Sequence, residues 1–261
     1  MSVKNKVLIL TGVGPGMGRR LALEAVRDGA HVALGARSTA SIEALAGEID
    51  AMGGQAIALS TDVQDPEQCR RLAEATLERF GRIDGLTNAA YAVSGPSDAD
   101  TADVEAWQRS MNVICFGALR MVQAVVPAMK RQGCGAIVNI SSMVTRKPPP
   151  QRGDYTVAKT ALNGLTRQLA QELGIFGIRV NTISIGWMWG KEVQRVTREM
   201  AEAMGKPHEA LIGEITARIP IGHVPSEEDC SHAVLFLLSD YSRAITGAHL
   251  DVNGGESFGA F

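Results

Sequence analysis

The 261-residue sequence predicts an α/β fold: one doubly wound (Rossmann) domain, with a parallel sheet of about seven strands and helices on both faces. Three observations carry this prediction. Short runs of branched apolar residues alternate with stretches of helical periodicity from end to end. Those runs are apolar throughout, so both faces of each strand must be covered. The chemically notable residues fall where the runs end, the side on which such sheets bind ligands.

Val7 to Leu10 is the first strand, and a helix follows through Leu21, Ala25 and Val26. Val32 to Leu34 is the second, followed by Ile42, Leu45, Ala46 and Ile49 at helical spacing. Ala56 to Leu59 is the third, and Leu72, Ala75, Thr76 and Phe80 mark its helix. Ile83 to Leu86 leads to a long helix from Trp107 to Met129. Ile137 to Ile140, helix Tyr155 to Leu173 and Val180 to Ile183 come next. Ala233 to Leu238 is a late helix and His249 to Val252 the last strand. No Pro/Gly/Ser-rich linker divides residues 1–261. The segment 186–226 is too long for an ordinary connection. Val193, Val196, Met200 and Met204 give it helical spacing, and it is expected to form a substrate-binding lid.

Apolar residues make up 45% and charged residues 21%, a globular balance that excludes disorder. A net charge of −2 lacks the basic footprint of a nucleic-acid binder. No uninterrupted apolar stretch approaches ~20 residues, so no membrane span is expected. Cys69, Cys115, Cys134 and Cys230 are scattered and form no CxxC pair. His208-Glu209 begins an HExxH pattern, but Ile212 stands where the second ligand is needed, so no metal is expected. Together these features predict a cytoplasmic protein. Glycine is the deviant count, 28 residues or about 11% against a usual ~7%.

Many of those glycines sit in Thr11-Gly12-Val13-Gly14-Pro15-Gly16-Met17-Gly18, between the first strand and the first helix. The spacing is TGxxxGxG. Glycines allow a tight turn and close approach of backbone to a diphosphate, and the helix N-terminus supplies N–H groups and partial positive charge. The second strand ends Ala36-Arg37-Ser38. A carboxylate at that place would hold an adenosine ribose; Ala36 offers none, and the Arg37 guanidinium suits a 2′-phosphate. The expected cofactor is therefore NADP(H) in preference to NAD(H), with Arg37 as an ordinary solvated loop residue the alternative.

Tyr155 and Lys159 lie four apart on one helix and share a face. Ser142 ends the preceding strand and Asn112 lies inside the long helix before it. At this point the chain resembles the short-chain dehydrogenase/reductase (SDR) family. The resemblance runs along nearly the whole chain: Thr11, Gly12, Gly16, Gly18, Asp62-Val63, Asn88-Ala89, Asn112, Ser142, Tyr155-x-x-x-Lys159, Asn181 and Asp251-x-x-Gly254-Gly255. It implies an oxidoreductase that moves a hydride between a nicotinamide and a ketone or secondary alcohol. Tyr155 would be the general acid/base, its phenol lowered by the Lys159 ammonium and the oxidised nicotinamide. Lys159 would also hold the nicotinamide ribose, and Ser142 the substrate oxygen. Asn112 would support a water relay, Asp62 would meet adenine, and Asn88 would help hold the cofactor. Gly14, Met17, Ser38, Val63, Ala89, Ala90 and Gly186 complete the expected cofactor contacts.

Four positions depart from the family pattern. Ala90 stands where the family has glycine, Ile185-Gly186 replaces Pro-Gly, Gly190 replaces a threonine expected to contact the nicotinamide end, and Pro15 precedes Gly16 where a basic residue is common among NADP members. The substrate is expected to be a fairly large apolar or ring-bearing small molecule. Trp187-Met188-Trp189 would form an apolar rim, or else pack on the chain's own core or on a neighbour. Val144, Pro149 and Gln151 stand between Ser142 and Tyr155 and are expected to line the site. The resemblance also implies a homotetramer, or a homodimer, with Ala118, Val122, Val125, Phe258 and Phe261 at the interfaces. Two rivals share the fold: a catalytically silent dinucleotide sensor, which would usually lack Tyr or Lys, and an NAD-dependent alcohol dehydrogenase. An enoyl reductase would spread Tyr and Lys further apart than four.

Overall fold

The computed structural model describes residues 2–259. Seven strands form one parallel sheet in the order β3-β2-β1-β4-β5-β6-β7. They are β1 (Val7–Thr11), β2 (His31–Ala36), β3 (Ala56–Ser60), β4 (Gly85–Asn88), β5 (Gly135–Ser142), β6 (Ile178–Ile185) and β7 (His249–Val252). Helices α1 (Met17–Arg27), α2 (Thr39–Ala51) and α3 (Pro66–Phe80) connect the first strands. Then come α4 (Val104–Met111), α5 (Gly117–Gln132) and α6 (Gly153–Leu173), followed by α7 (Lys191–Ala203), α8 (His208–Thr216) and α9 (Glu227–Leu238).

Strand alternation divides the interior into two cores, one on each face of the sheet. Leu8, Leu10, Val32, Leu34, Val138 and Ile183 face α1, α2 and α9. Ile9, Ala33, Ile137 and Val180 face α3, α5 and the end of α6. Helix punctuation is local. Asp65 caps α3 by accepting from Glu67 N and Gln68 N, Pro66 opens it, and Gly81 ends it at φ 77°. Ser226 and Asp229 form a reciprocal capping box on α9.

The long helix expected from Trp107 to Met129 is interrupted. Asn112–Phe116 forms a π turn between α4 and α5, and Asn112 sits at its start. The joined run Val104–Gln132 is long and apolar enough to cross a bilayer by length and composition, yet half of its most apolar window is buried against the fold. Ala118, Val122 and Val125, expected at a subunit interface, are only 4%, 3% and 0% exposed. They belong to this chain's own core, because the long helix turns its small and branched face to the sheet. Phe258 is exposed, and Phe261 lies outside the described residues.

The segment after β6 also differs in its facing. Met200 and Met204 are exposed, whereas Thr197 and Ala201 are buried. Thr197 Oγ1 lies 2.9 Å from His208 Nε2, joining α7 to α8. The helix therefore packs through small residues one step away from the methionine stripe. Ala201, Leu211, Ile215 and Ile219 make a separate small core there, with Trp187, Ile212 and Val224 against it.

Candidate active site

Register sets the stage. Thr11 pairs with Asn88 and Asn88 with Asn139, so β1, β4 and this point of β5 end or align in one row. β5 then continues through Ser142, paired with Ile185 of β6. Ser142 thus stands three residues, roughly 10 Å, beyond the last β4 residue. The step lies beside the point where chain order reverses between β1 and β4, the usual ligand crevice of such sheets.

Two cavities open along this edge and share Gly12, Gly14 and Tyr91. The larger, of about 390 Å³, brings Ser142, Tyr155 and Lys159 onto one wall and Gly16, Met17 and Gly18 onto the other. Ala89 and Gly186 also line it. The smaller, of about 260 Å³, is lined by Arg37, Ser38, Asp62, Val63 and Ala90.

Lys159 is 2% exposed and its Nζ donates to the Ile140 carbonyl at 2.5 Å. Burial brings this ammonium down to about 7. Burial pushes the Tyr155 phenol up to about 12; a hydrogen bond from Ser142 opposes the rise, and Tyr91 adds to it. Burial in the protein thus opposes the lowering expected from the Lys159 ammonium and the oxidised nicotinamide together. Lys159 Nζ is 5.5 Å from the Tyr155 ring centroid, and burial leaves it only partly charged near neutrality, which weakens its pull on the phenolate. Ser142 Oγ also accepts from Val144 N at 3.4 Å, and Thr145 Oγ1 donates to the Ser142 carbonyl at 3.0 Å. These bonds fix the turn that presents the hydroxyl.

The residues opposite fit a dinucleotide. Helix α1 begins at Gly16 with no side-chain cap and no acidic residue in its first turn, so its leading N–H groups face the cavity. Gly12 has φ +71°, and a Cβ there would lie 2.3 Å from Ala90 N. A side chain at Gly14 would meet nothing within 4 Å, projecting into the cleft instead. Arg37 makes no ion pair among the described residues, while Ser38 Oγ is 3.0 Å from Ser41 Oγ. Asp62 Oδ1 accepts from Gln64 N at 2.9 Å.

Several expected residues are placed elsewhere. Thr11 Oγ1 donates to the Thr87 carbonyl at 3.1 Å. Asn88 Nδ2 donates to Asn139 Oδ1 at 2.9 Å, and Asn139 Nδ2 to Thr166 Oγ1 at 2.9 Å. This buried ladder lies beneath the cleft floor rather than in its lining. Asn112 Nδ2 donates to Gln64 Oε1 at 3.0 Å, and Arg120 Nη2 donates to Asn112 Oδ1 at 2.8 Å. The Asn112 amide is therefore committed to α3's approach and α5, not to Lys159. Val144, Pro149 and Gln151 lie outside both cavity linings; Pro149 and Gln151 are exposed, and Gln151 Nε2 reaches Asp98 at 3.3 Å. Trp187 packs on the α7–α8 core, and Trp189 N donates to the Pro225 carbonyl at 2.7 Å. Met188 and Val193 line the cleft in their place.

The structure adds residues that the sequence did not single out. Tyr91 borders both cavities. Glu192 and Glu227 stand on the larger cavity's wall. Asp154, next to Tyr155, is 3% exposed and its Oδ2 accepts from Ser94 N and Ser110 Oγ, each at 2.7 Å. Burial pushes the Asp154 carboxyl up, but these hydrogen bonds outweigh it and hold the group below its ordinary value. The signal was weak because an isolated acid at a helix start usually serves the helix alone.

A family model described as enoyl-(acyl carrier protein) reductase matches residues 12–257. The chain is 30% identical to the 3-oxoacyl-[acyl-carrier-protein] reductase FabG of Thermotoga maritima, covering 98% of this chain and 99% of that one. It is similar to a short-chain type dehydrogenase/reductase from Mycobacterium ulcerans, with a TM-score of 0.90 and 28% identity over 98% of this chain and 91% of that one. It is also similar to the L-sorbose reductase of Gluconobacter frateurii, solved with NADPH and L-sorbose, with a TM-score of 0.91 and 27% identity over 98% of each chain. With the sheet order, the glycine-lined α1 N-terminus and the Ser142–Tyr155–Lys159 wall, these likenesses show that the chain belongs to the short-chain dehydrogenase/reductase family of NAD(P)-dependent oxidoreductases.

Proposed function

We propose that this chain interconverts a ketone and a secondary alcohol, with NADP(H) as preferred hydride carrier. One observation carries the reading: Ser142, Tyr155 and Lys159 share one wall of a cleft whose other wall is the uncapped start of α1. The nicotinamide, when bound, supplies or accepts the hydride. Tyr155 moves the hydroxyl proton, its high value keeping the phenol protonated and ready to donate in the reductive direction. Lys159, poised near 7, needs little driving force to shift between its neutral and charged forms. Ser142 holds the substrate oxygen beside the phenol. Asn112 acts through its bonds to Gln64 and Arg120, steadying the floor of the site.

Arg37 supports the NADP(H) preference, because it lines the smaller cavity with its charge uncommitted among the described residues. The substrate class proposed is a fairly large apolar or ring-bearing carbonyl, held by Tyr91, Met188 and Val193, with residues 186–226 as the covering segment. The enoyl description is not adopted: Tyr155 and Lys159 sit one helical turn apart, on the spacing of a carbonyl reductase. Assembly into a homotetramer is proposed through Phe116 and Val157, both large, apolar and exposed.

The test is incubation with NADPH or NADH and a panel of ketones and alcohols, followed at the nicotinamide absorbance. Turnover of ring-bearing ketones with NADPH is expected. Cofactor binding without turnover across a broad panel would favour a sensor, and turnover confined to small hydrophilic sugars would overturn the substrate class.

A further inference from the structure

Glu227, the first residue of α9, reaches into the diphosphate end of the cleft. Its carboxylate lies between the glycine turn and the start of α7: Oε1 is 3.2 Å from where a Gly16 Cβ would stand and 1.9 Å from where a Gly190 Cβ would stand. A side chain at position 190 would require the Glu227 side chain to move away. Gly190, where the family carries a threonine, leaves room for this carboxylate.

The charges around it are mostly committed. Arg19 of α1 pairs with Glu48 at 2.5 Å, and Arg20 pairs with Glu24 at 3.0 Å and with Glu228. On α7, Lys191 has no ion pair among the described residues, and Glu192 is held by Arg195 at 2.6 Å, which keeps it ionised. On its own helix, Glu228 and Asp229 are engaged with Arg20 and Ser226. The Glu227 carboxylate makes no hydrogen bond or ion pair among the described residues, although it borders the cavity; only its carbonyl is engaged, accepting from Ser231 Oγ at 2.7 Å. Burial raises its carboxyl above the ordinary value despite Arg20, Arg19 and Lys191. A diphosphate at the α1 N-terminus would add negative charge to this same corner, and an ionised Glu227 would oppose it.

We propose that Glu227 positions the cofactor's diphosphate as a protonated hydrogen-bond donor, so that dinucleotide binding takes up one proton from solvent. The proton goes to one carboxylate oxygen and no other bond changes. The proposal rests on the dinucleotide reading of the cleft. Affinity is then constant below the free-protein value of Glu227, falls up to ~10-fold per pH unit between the free and bound values, and levels off above them.

The test is calorimetric titration of the full chain with NADPH and with NADH, at several pH values and in two buffers of different ionisation enthalpy. The wild type is expected to take up close to one proton more per dinucleotide than Glu227→Gln, and the variant's affinity to lose the corresponding slope. Glu227→Asp, which keeps the negative charge on α9's first turn but withdraws it from Gly16 and Gly190, is expected to lose the uptake as well. It serves if the glutamine variant fails to fold by circular dichroism. Glu228→Gln is expected to keep the uptake. Equal uptake in the wild type and both Glu227 variants overturns the proposal while leaving the dinucleotide reading intact. Failure of the wild type to bind either dinucleotide overturns both.

Discussion

Replacing Asp154 by alanine tests whether the wall carrying Tyr155 is held in place by one buried carboxylate. Asp154 joins three elements: it starts α6, and it accepts from Ser110 of α4 and from the backbone of Ser94 in the loop after β4. Hydrogen bonds to an ionised acceptor contribute about 1.5–3 kcal/mol each, and the alanine leaves the buried Ser110 hydroxyl and the half-buried Ser94 N–H without this partner. Two such bonds give a loss of roughly 3–5 kcal/mol after allowing for partial relaxation. For a chain of this size that corresponds to a melting point lower by roughly 10 °C. The assay is thermal melting together with urea denaturation. Because the folded carboxyl lies below its ordinary value, its contribution is complete above the unfolded pKa of about 3.9 and is lost as pH falls through the folded value. The gap between wild type and variant therefore closes in acid. The Ser94 loop also leads back to Tyr91, so cofactor affinity is expected to weaken alongside stability. A D154A protein within about 0.5 kcal/mol of wild type at neutral pH would refute the reasoning, since surface substitutions typically stay in that range.

Tyr155→Phe is expected to cut turnover about 10²- to 10⁴-fold with an accepted carbonyl while leaving dinucleotide affinity near wild type, measured by steady-state kinetics and fluorescence titration. Arg37→Ala is expected to raise the KM for NADPH about 10-fold or more and to leave that for NADH unchanged, since one charge-assisted contact is worth about 1.5–3 kcal/mol. Lys159 has a folded value near 7, well below its unfolded 10.5, so wild-type stability should rise with pH across that window. Lys159→Met, followed by urea denaturation from pH 7 upward, is expected to lack this rise.

The sheet was legible because apolar runs report burial on two faces, and parallel pairing then leaves little freedom in strand order. The Ser142–Tyr155–Lys159 set was legible because one strand end and one helical turn fix all three. What escaped was anything decided by neighbours distant in the chain. Trp187 reads as a rim residue until the α7–α8 core is seen to receive it. Asn88 reads as a cofactor ligand until its amide is seen to donate to Asn139, which in turn donates to Thr166. The π turn at Asn112 has no signature in hydrophobic spacing, because one extra residue per turn barely shifts the apolar stripe. Glu227 looks like a helix-start acid, and only the absence of a side chain at Gly190 reveals where it points.

The excursion after β6 is tied to the rest of the chain at its two ends and again near its end, where Ile221 N donates to the Gly254 carbonyl at 3.2 Å. Gly186 N donates to the Val252 carbonyl at 3.2 Å, and Trp189 bridges to Ser226. Between those ties, α7 and α8 close around a core of their own. The excursion is therefore a cassette. Its contribution to the larger cavity is confined to Gly186, Met188, Gly190, Glu192 and Val193, near its first end. Exchanging residues 190–224 between family members should transplant selectivity for the substrate, while the dinucleotide preference proposed for Arg37 is expected to stay with the host sheet.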